Sequence, residues 1–504
     1  MLSIHQAPAF PPCPAPFNLA AHVLRRAGEL ADKNALQIVG TTGAERWSYG
    51  RLAAAVQGCA TGLLARGLGP GDRVLIRLGN TVEFPVLFLG AITAGLIPIP
   101  TSAALTVPEI TKLATLCRPA LIVAADGVAL PDPLPCPVLS AADLRAMEAL
   151  PPTDFAMGDP DRAAYIVFTS GTSGNPRGVV HAHRALWARG MMHQGWEGLG
   201  ESDRLLHAGA FNWTYTLGTG LLDPWSMGAT ALIPGAGVTP AQLPLLLKRF
   251  DATIFAAAPG VFRQMMRAPL PPLPRLRHAL SAGEKLPDSL RAAWEQATGT
   301  QVHEALGMSE VSTFLSGSPA RPAPAGATGY PQPGRKVAIL GPDDQPVPRT
   351  EAGILAISAD DPGLMLGYLD APEATADKHR NGWFVTGDSA VMADDGAVTY
   401  LGRDDDMMNP GGFRVSPLDV ESALAALIPD CAVTEVEVSP GTRIIACFYV
   451  APKMVAEATL QAHADITLAR WKQPRHWQRL DALPRGANNK LNRRALAALY
   501  RKDQ

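Results

Sequence analysis

The stretch Thr169-Ser-Gly-Thr-Ser-Gly-Asn-Pro-Arg-Gly178 decides how this chain is read. The apolar run Ala164-Tyr-Ile-Val-Phe168 precedes it. Val179-Val-His-Ala-His183 follows and leads toward an Ala/Leu-rich helical stretch. An apolar run therefore ends in a loop of hydroxyls and glycines. Glycine takes positive φ without a Cβ penalty, so the loop can turn its N–H groups inward. Clustered N–H groups form an anion-binding nest, to which the hydroxyls add donors. The guest that suits such a nest is a polyphosphate. No Gly-Lys-Ser/Thr follows the glycines, so the loop is not a Walker A motif. The bland alternative is a flexible Ser/Gly linker, and the motifs downstream argue against it.

Composition sets the bounds. The chain has 504 residues, too many for one ordinary core, so two or more domains are expected. Hydrophobic residues make up 47% and charged residues 18%, which is globular rather than disordered. A net charge of -2 gives no electrostatic reason for a nucleic-acid partner. The six cysteines, Cys13, Cys59, Cys117, Cys136, Cys431 and Cys447, include no CxxC pair, and their scatter fits a reducing cytoplasm. Met1–Phe17 is Pro-rich and lacks the basic and apolar regions of a signal peptide. Phe84–Pro108 is uncharged, but Pro85, Gly90, Gly95, Pro98 and Pro100 interrupt it. A buried helix running into a buried strand is expected there, not a membrane span.

Runs such as Arg73–Ile76, Ala120–Ala124, Tyr165–Phe168 and Thr253–Ala256 look like strands and alternate with helical stretches, among them Val107–Cys117. The pattern predicts α/β layers with largely parallel sheets. Residues 317–334, rich in Pro, Gly and Ala, read as loop. The short alternating runs Lys336–Leu340 and Gly353–Ile357 after it suggest a β-rich subdomain. The acidic run Asp404–Asp406 marks the start of a small α+β C-terminal domain of roughly 100 residues. The expected division is 1–402 and 403–504.

Further motifs follow the loop in order. They are Ser281-Ala-Gly-Glu-Lys-Leu-Pro287, Leu306-Gly-Met-Ser-Glu310, Gly382-Trp-Phe-Val-Thr-Gly-Asp388, the run DDDMMNPGGFRVSP over residues 404–417, and Pro484-Arg-Gly-Ala-Asn-Asn-Lys-Leu-Asn-Arg-Arg494. Each has a structural alternative: a strand-to-helix loop, a solvated loop carboxylate, a turn Asp with a surface Arg, a Gly-Gly turn, and a basic helix end.

Taken together they resemble the adenylate-forming superfamily: acyl-CoA synthetases, luciferases and peptide-synthetase adenylation domains. LGMSE and DDDMMNPGGFRVSP bring the chain nearest to benzoate-CoA-ligase-like enzymes. The resemblance spans nearly the whole chain and implies ATP, Mg2+ and coenzyme A as cofactor and co-substrates. It places Thr169, Ser170, Gly171, Thr172, Ser173, Gly174 and Arg177 on the phosphates. Gly283, Glu284 and Lys285, with Leu306, Gly307, Met308 and Ser309, line the nucleotide pocket. Glu310 holds Mg2+, a cation that takes oxygen ligands and bridges phosphates. Asp388 and Arg403 meet the ribose, and Arg414 meets the nucleotide or helps hold one domain orientation. Asp405 is the hinge of the mobile C-terminal domain. Gly411 and Gly412 leave room for the pantetheine arm of CoA, and Lys490 is the catalytic lysine, with Thr172 and Glu310 beside it. The chain departs from the family pattern at Arg177, where Lys is usual, at Asn489, where Gly is usual, and at Leu306, where many relatives have Tyr.

Ala210-Phe-Asn-Trp-Thr-Tyr-Thr-Leu-Gly218 lies where relatives line the acyl pocket. Phe211, Asn212, Trp213 and Tyr215, with Ala282 and Gly283, would enclose a small aromatic, alicyclic or short-chain acid. The aromatics serve equally well as core residues at a helix entrance. The expected activity is an AMP-forming acid–CoA ligase. The alternatives are an adenylation enzyme that loads a separate carrier protein and a nucleotide-sensing protein with a degenerate site. The expected partners are small molecules, with a homodimer left open.

Overall fold

The computed structural model describes residues 1–169, 176–408, 415–439, 442–486 and 491–500. A nine-stranded sheet forms its centre. Val302–Met308, His278–Ala282, Ile254–Ala257, Arg204–His207, Thr230–Pro234 and Asn34–Val39 run parallel side by side. Antiparallel strands close both edges. Parallel strands need coverage on both faces, and these are almost wholly buried, as the apolar runs demanded. In such sheets ligands bind beyond the carboxyl ends of the strands. His207, Ala282 and Met308 stand at those ends.

A second, four-stranded sheet is parallel throughout. The uncharged stretch near its start is a helix, Glu83–Thr93, buried at every residue, followed by the strand Ile97–Pro100. The expectation of a buried helix and strand holds. Among the described residues no helix is long and apolar enough to cross a membrane. The helix Val107–Cys117 also falls where expected. Thr106 and Glu109 close a capping box, and Pro108 occupies the first turn, where its missing N–H costs nothing.

The remaining sheets depart from the parallel expectation. Ala163–Thr169 pairs antiparallel with Arg177–Ala182, and Gly367–Tyr368 adds a third strand. The reason is connection length: residues 170–176 are too few for the crossover that parallel strands require. The β-rich unit is an antiparallel sheet built on Lys336–Leu340, Ala352–Ser358, Trp383–Met392 and Val398–Arg403. Beyond Val415, Cys431–Ser439, Thr442–Tyr449 and His476–Arg479 form a separate mixed sheet. The helices Pro417–Leu424, Glu457–Thr467 and Arg493–Ala498 pack with it around clusters centred on Val433, Ile445 and Phe448.

Candidate active site

The strand pair Ala163–Thr169 and Arg177–Ala182 holds the hydroxyl-rich loop at both ends, with Thr169 opposite Arg177. The Arg177 guanidinium lies 5.3 Å from the ring centre of Tyr368. Tyr368 donates its hydroxyl to Glu310 Oε1 at 2.7 Å. Burial, and then the Glu310 charge, push the Tyr368 phenol up, so it remains a donor. Glu310 follows the bulged strand Val302–Met308, which turns back into Ser312–Ser316. At Gly307 a Cβ would come 2.5 Å from the Ser312 carbonyl, so only glycine fits. His181, on the Arg177 strand, stacks on Tyr165 and bonds the Ser309 carbonyl at 2.7 Å. Desolvation brings its pKa down to about 4, which keeps the ring neutral.

A second group lies on adjacent strands of the β-rich sheet. Asp388 and Arg403 are register partners, and Arg403 Nη1 reaches Asp388 Oδ1 at 3.2 Å and the Thr386 carbonyl at 3.1 Å. Gly387, with φ of 80°, lets the strand kink beside the guanidinium. Burial raises the Asp388 carboxyl, and Arg403 opposes that shift. Lys378 links the two groups. The charges of Arg403, Glu310, Asp388 and Arg177 all act on its ammonium, which desolvation, the largest effect, pulls down. Sequence reading missed Lys378, because a lone Lys in a charged stretch carries no motif.

On the acyl side, Gly283 has φ of 97°, and a Cβ there would lie 2.7 Å from the Trp213 indole. Trp213 meets Tyr215 edge-on at 5.1 Å, and the Tyr215 hydroxyl donates to the Leu280 carbonyl at 3.2 Å. Ala282, Ala305 and Met192 pack with them. Phe211 points elsewhere, into the core against Phe84 at 5.2 Å. Of the two readings left open for these aromatics, the buried Phe211 and Tyr215 fit the core one, while Trp213 meets Gly283. Asn212 is half-buried at the same turn.

A family model described as AMP-binding enzyme matches residues 23–369. The chain belongs to the AMP-binding enzyme family. It is 30% identical over 482 residues to the benzoate–CoA ligase of Thauera aromatica, covering 89% of this chain and 90% of that protein. It is 28% identical over 510 residues to the 3-hydroxybenzoate–CoA ligase of Aromatoleum sp. strain CIB, covering 94% of each. The structure of a benzoate CoA ligase from Burkholderia xenovorans LB400 matches with a TM-score of 0.87 at 27% identity, covering 95% of this chain and 100% of that one.

Within this AMP-binding enzyme, the nucleotide-pocket residues expected after Ala282 have protein partners. Lys285 pairs with the buried Glu304 at 3.4 Å, and Glu284 pairs with Arg485 at 3.4 Å. Leu306 and Met308 are partly buried beside the core of the β-rich sheet, and Gly307 is exposed between them. Asp405 sits in a short turn, Asp404–Asp406, directly after the Arg403 strand. Ser170, Gly171, Thr172, Ser173, Gly174, Gly411, Gly412, Arg414 and Lys490 lie outside the described residues.

One further cluster was not anticipated. Arg189 grips both oxygens of the buried Asp223, with Nε–Oδ1 at 2.7 Å, and also reaches Thr219 and Ser312. His193 stands 3.6 Å from Asp223, and Glu197 is fully buried nearby. The ligand atoms of His193, Glu197 and Asp223 fall within 4.8 Å of one another. This is not a convincing cation site, because Arg189 already holds both Asp223 oxygens and would repel a second positive charge. Burial opposes the Asp223 charge, yet Arg189 overrides it and keeps the carboxyl well below its usual range. Burial and the Asp223 charge push Glu197 well above its usual range, so it is neutral. Within the knot the Arg189 and Asp223 charges offset one another.

Proposed function

We propose that this chain is an ATP-dependent acid–CoA ligase that acts on a small aromatic carboxylic acid. The observation that carries the reading is the Glu310–Tyr368–Arg177 cluster at the foot of the phosphate-loop hairpin. The Asp388–Arg403 pair and this cluster both act on the Lys378 ammonium. The relatives named above are CoA ligases for benzoate and a hydroxybenzoate, and Trp213, Tyr215, Ala282 and Gly283, gathered at the carboxyl end of the central sheet, would wall a site for a flat ring of that size. The same relatives give no support to the carrier-protein alternative.

In the first half-reaction the substrate carboxylate attacks the α-phosphorus of ATP and displaces pyrophosphate, giving an acyl-adenylate. In the second, the CoA thiol loses its proton and attacks the acyl carbonyl, and AMP leaves. The carboxylate is its own nucleophile, so the protein supplies position and charge. Thr172 and its neighbours in the loop donate to the phosphates, and Arg177 adds a bidentate cation. Glu310 offers Mg2+ a hard oxygen held in place by Tyr368, and the ion, when bound, neutralises phosphate charge. Asp388 and Arg403 exchange part of their mutual contact for the ribose hydroxyls, and Arg414 serves the nucleotide. Lys490 offsets the charge that develops as the acyl oxygen meets phosphorus. Residues 1–402 act as the adenylation domain. Residues 403–504 turn about Asp405 and bring Gly411 and Gly412 to the pantetheine arm. The six unpaired cysteines fit a cytoplasmic enzyme.

The test is pyrophosphate release from ATP and Mg2+ across a panel of acids, with and without CoA. Benzoate-sized acids should release pyrophosphate and then yield AMP and a thioester when CoA is added. Turnover restricted to long-chain acids would overturn the pocket reading, and adenylation without thioester would overturn the ligase.

A further inference from the structure

The pairing of Glu284 with Arg485 joins two parts of the chain far apart in sequence. Arg485 Nη1 lies 3.4 Å from Glu284 Oε1, and both side chains are about four-fifths covered, with 22% and 20% exposed. A second guanidinium nitrogen lies 3.9 Å from Asp430, just ahead of the C-terminal sheet. Each end of the pair is anchored. On one side, Gly283 is wedged against Trp213, while Lys285 and the Leu286 amide are bound to Glu304. Glu284 therefore stands on a loop fixed before and after it. On the other side, Arg485 and Leu491 face each other in an antiparallel bridge, and the Asn492 amide donates to the Pro484 carbonyl at 2.9 Å. Pro484, Arg485, Leu491 and Asn492 thus form a paired base that flanks Lys490 in sequence. Leu483, Leu491 and Leu496 seat that base in the C-terminal core.

We propose that Glu284 and Arg485 form a latch that docks the paired base formed by Pro484, Arg485, Leu491 and Asn492, between which Lys490 lies in sequence, on the Gly283 loop, and that adenylation depends on this docking. Both are positioning residues, since they act through Lys490. The proposal rests on the reading of Lys490 as the catalytic lysine. A mostly buried pair is screened little by salt. Loss of one partner leaves the other charge uncompensated, and misplacement of a reacting group by about 1 Å costs on the order of 10²-fold in rate.

The experiment is a double-mutant cycle of Arg485→Gln and Glu284→Gln, read by acid-dependent pyrophosphate–ATP exchange. A second assay for Arg485→Gln measures thioester formation from supplied acyl-adenylate and CoA. Each single variant should lose about 10²-fold in exchange kcat, with KM for acid and ATP little changed. The double variant should be no worse than either single one, and Arg485→Lys should retain most of the rate. Thioester formation by Arg485→Gln should persist, while its Leu491 and Asn492 amides should exchange hydrogen faster. Unchanged pyrophosphate exchange, additive losses, or equal loss of the thioester step would overturn the latch. If the unmodified protein shows no acid-dependent exchange, the ligase reading fails on its own. Hydrogen exchange then decides the latch: faster exchange in Arg485→Gln upholds the docking, and unchanged exchange overturns it.

Discussion

Two groups of buried charge in this protein are built from the same ingredients and behave differently. The Arg189–Asp223 knot is closed. Arg189 spends its donors on Asp223, Thr219 and Ser312, and Glu197 stays neutral beside them. The Asp388–Arg403 pair is open at one end: Asp388 is buried, but a third of the Arg403 side chain meets solvent. Glu310 likewise gives one oxygen to Tyr368. A closed knot ties helices together. An open pair can exchange a protein partner for a ligand at small cost. Charge by itself therefore does not mark an active site; access to the charge does.

The closed group should fail through stability. Asp223→Ala leaves Arg189 buried and unpaired, with an expected loss of about 3–5 kcal/mol, measured by denaturant unfolding. Loss of activity without loss of stability would break the contrast. The open group should fail through rate. Glu310→Gln keeps an acceptor for Tyr368 and removes the charge, so pyrophosphate–ATP exchange should fall about 10²–10³-fold while the unfolding midpoint stays put. A midpoint shift comparable to that of Asp223→Ala would assign Glu310 to structure.

A pH series sharpens the boundary between the groups. His181 is held neutral with a pKa of about 4 when folded, while an unfolded His takes its proton near 6.5. The unfolded chain thus binds more protons between those values, and stability falls as pH drops below about 6.5. His181→Gln should flatten that slope by about 1.4 kcal/mol per pH unit. An unchanged slope would show that the ring charges freely in the fold. The smallest effect is expected in the acyl pocket. Trp213→Ala should raise kcat/KM for bulkier ring acids relative to benzoate by about 10-fold, and an unchanged ratio would move Trp213 out of the pocket wall.

Much of this architecture is legible in the amino-acid sequence. The buried helix and strand at 83–100, the capped helix at 107–117 and the β-rich unit after residue 334 follow from apolar periodicity and turn residues. Asp388 and Arg403 are legible as candidates as well, since each sits in a short motif, and the structure makes them register partners. The hairpin around the phosphate loop is readable from its short connection, but alternation of strands and helices suggests parallel sheets instead. Phe211 cannot be assigned from sequence, because aromatic spacing looks the same in a core and in a pocket. The Arg189 knot and Lys378 are invisible there because their partners converge only through tertiary packing. The motif around Glu284 places it on the nucleotide, and nothing local announces Arg485 as its partner.

The helix Glu83–Thr93 has a consequence for how the chain is made. It is apolar on every side, and its one charge, Glu83, is matched by Arg145, 62 residues later. At a synthesis rate of about 5–20 residues per second, that greasy cylinder leaves the ribosome seconds before its counterion does. Until then Glu83 lacks Arg145, and only the earlier helices Leu19–Val23 and Tyr49–Leu64 are at hand to cover the apolar flanks. This stretch is where a chaperone would be needed, and truncation between the helix and Arg145 should yield an insoluble product.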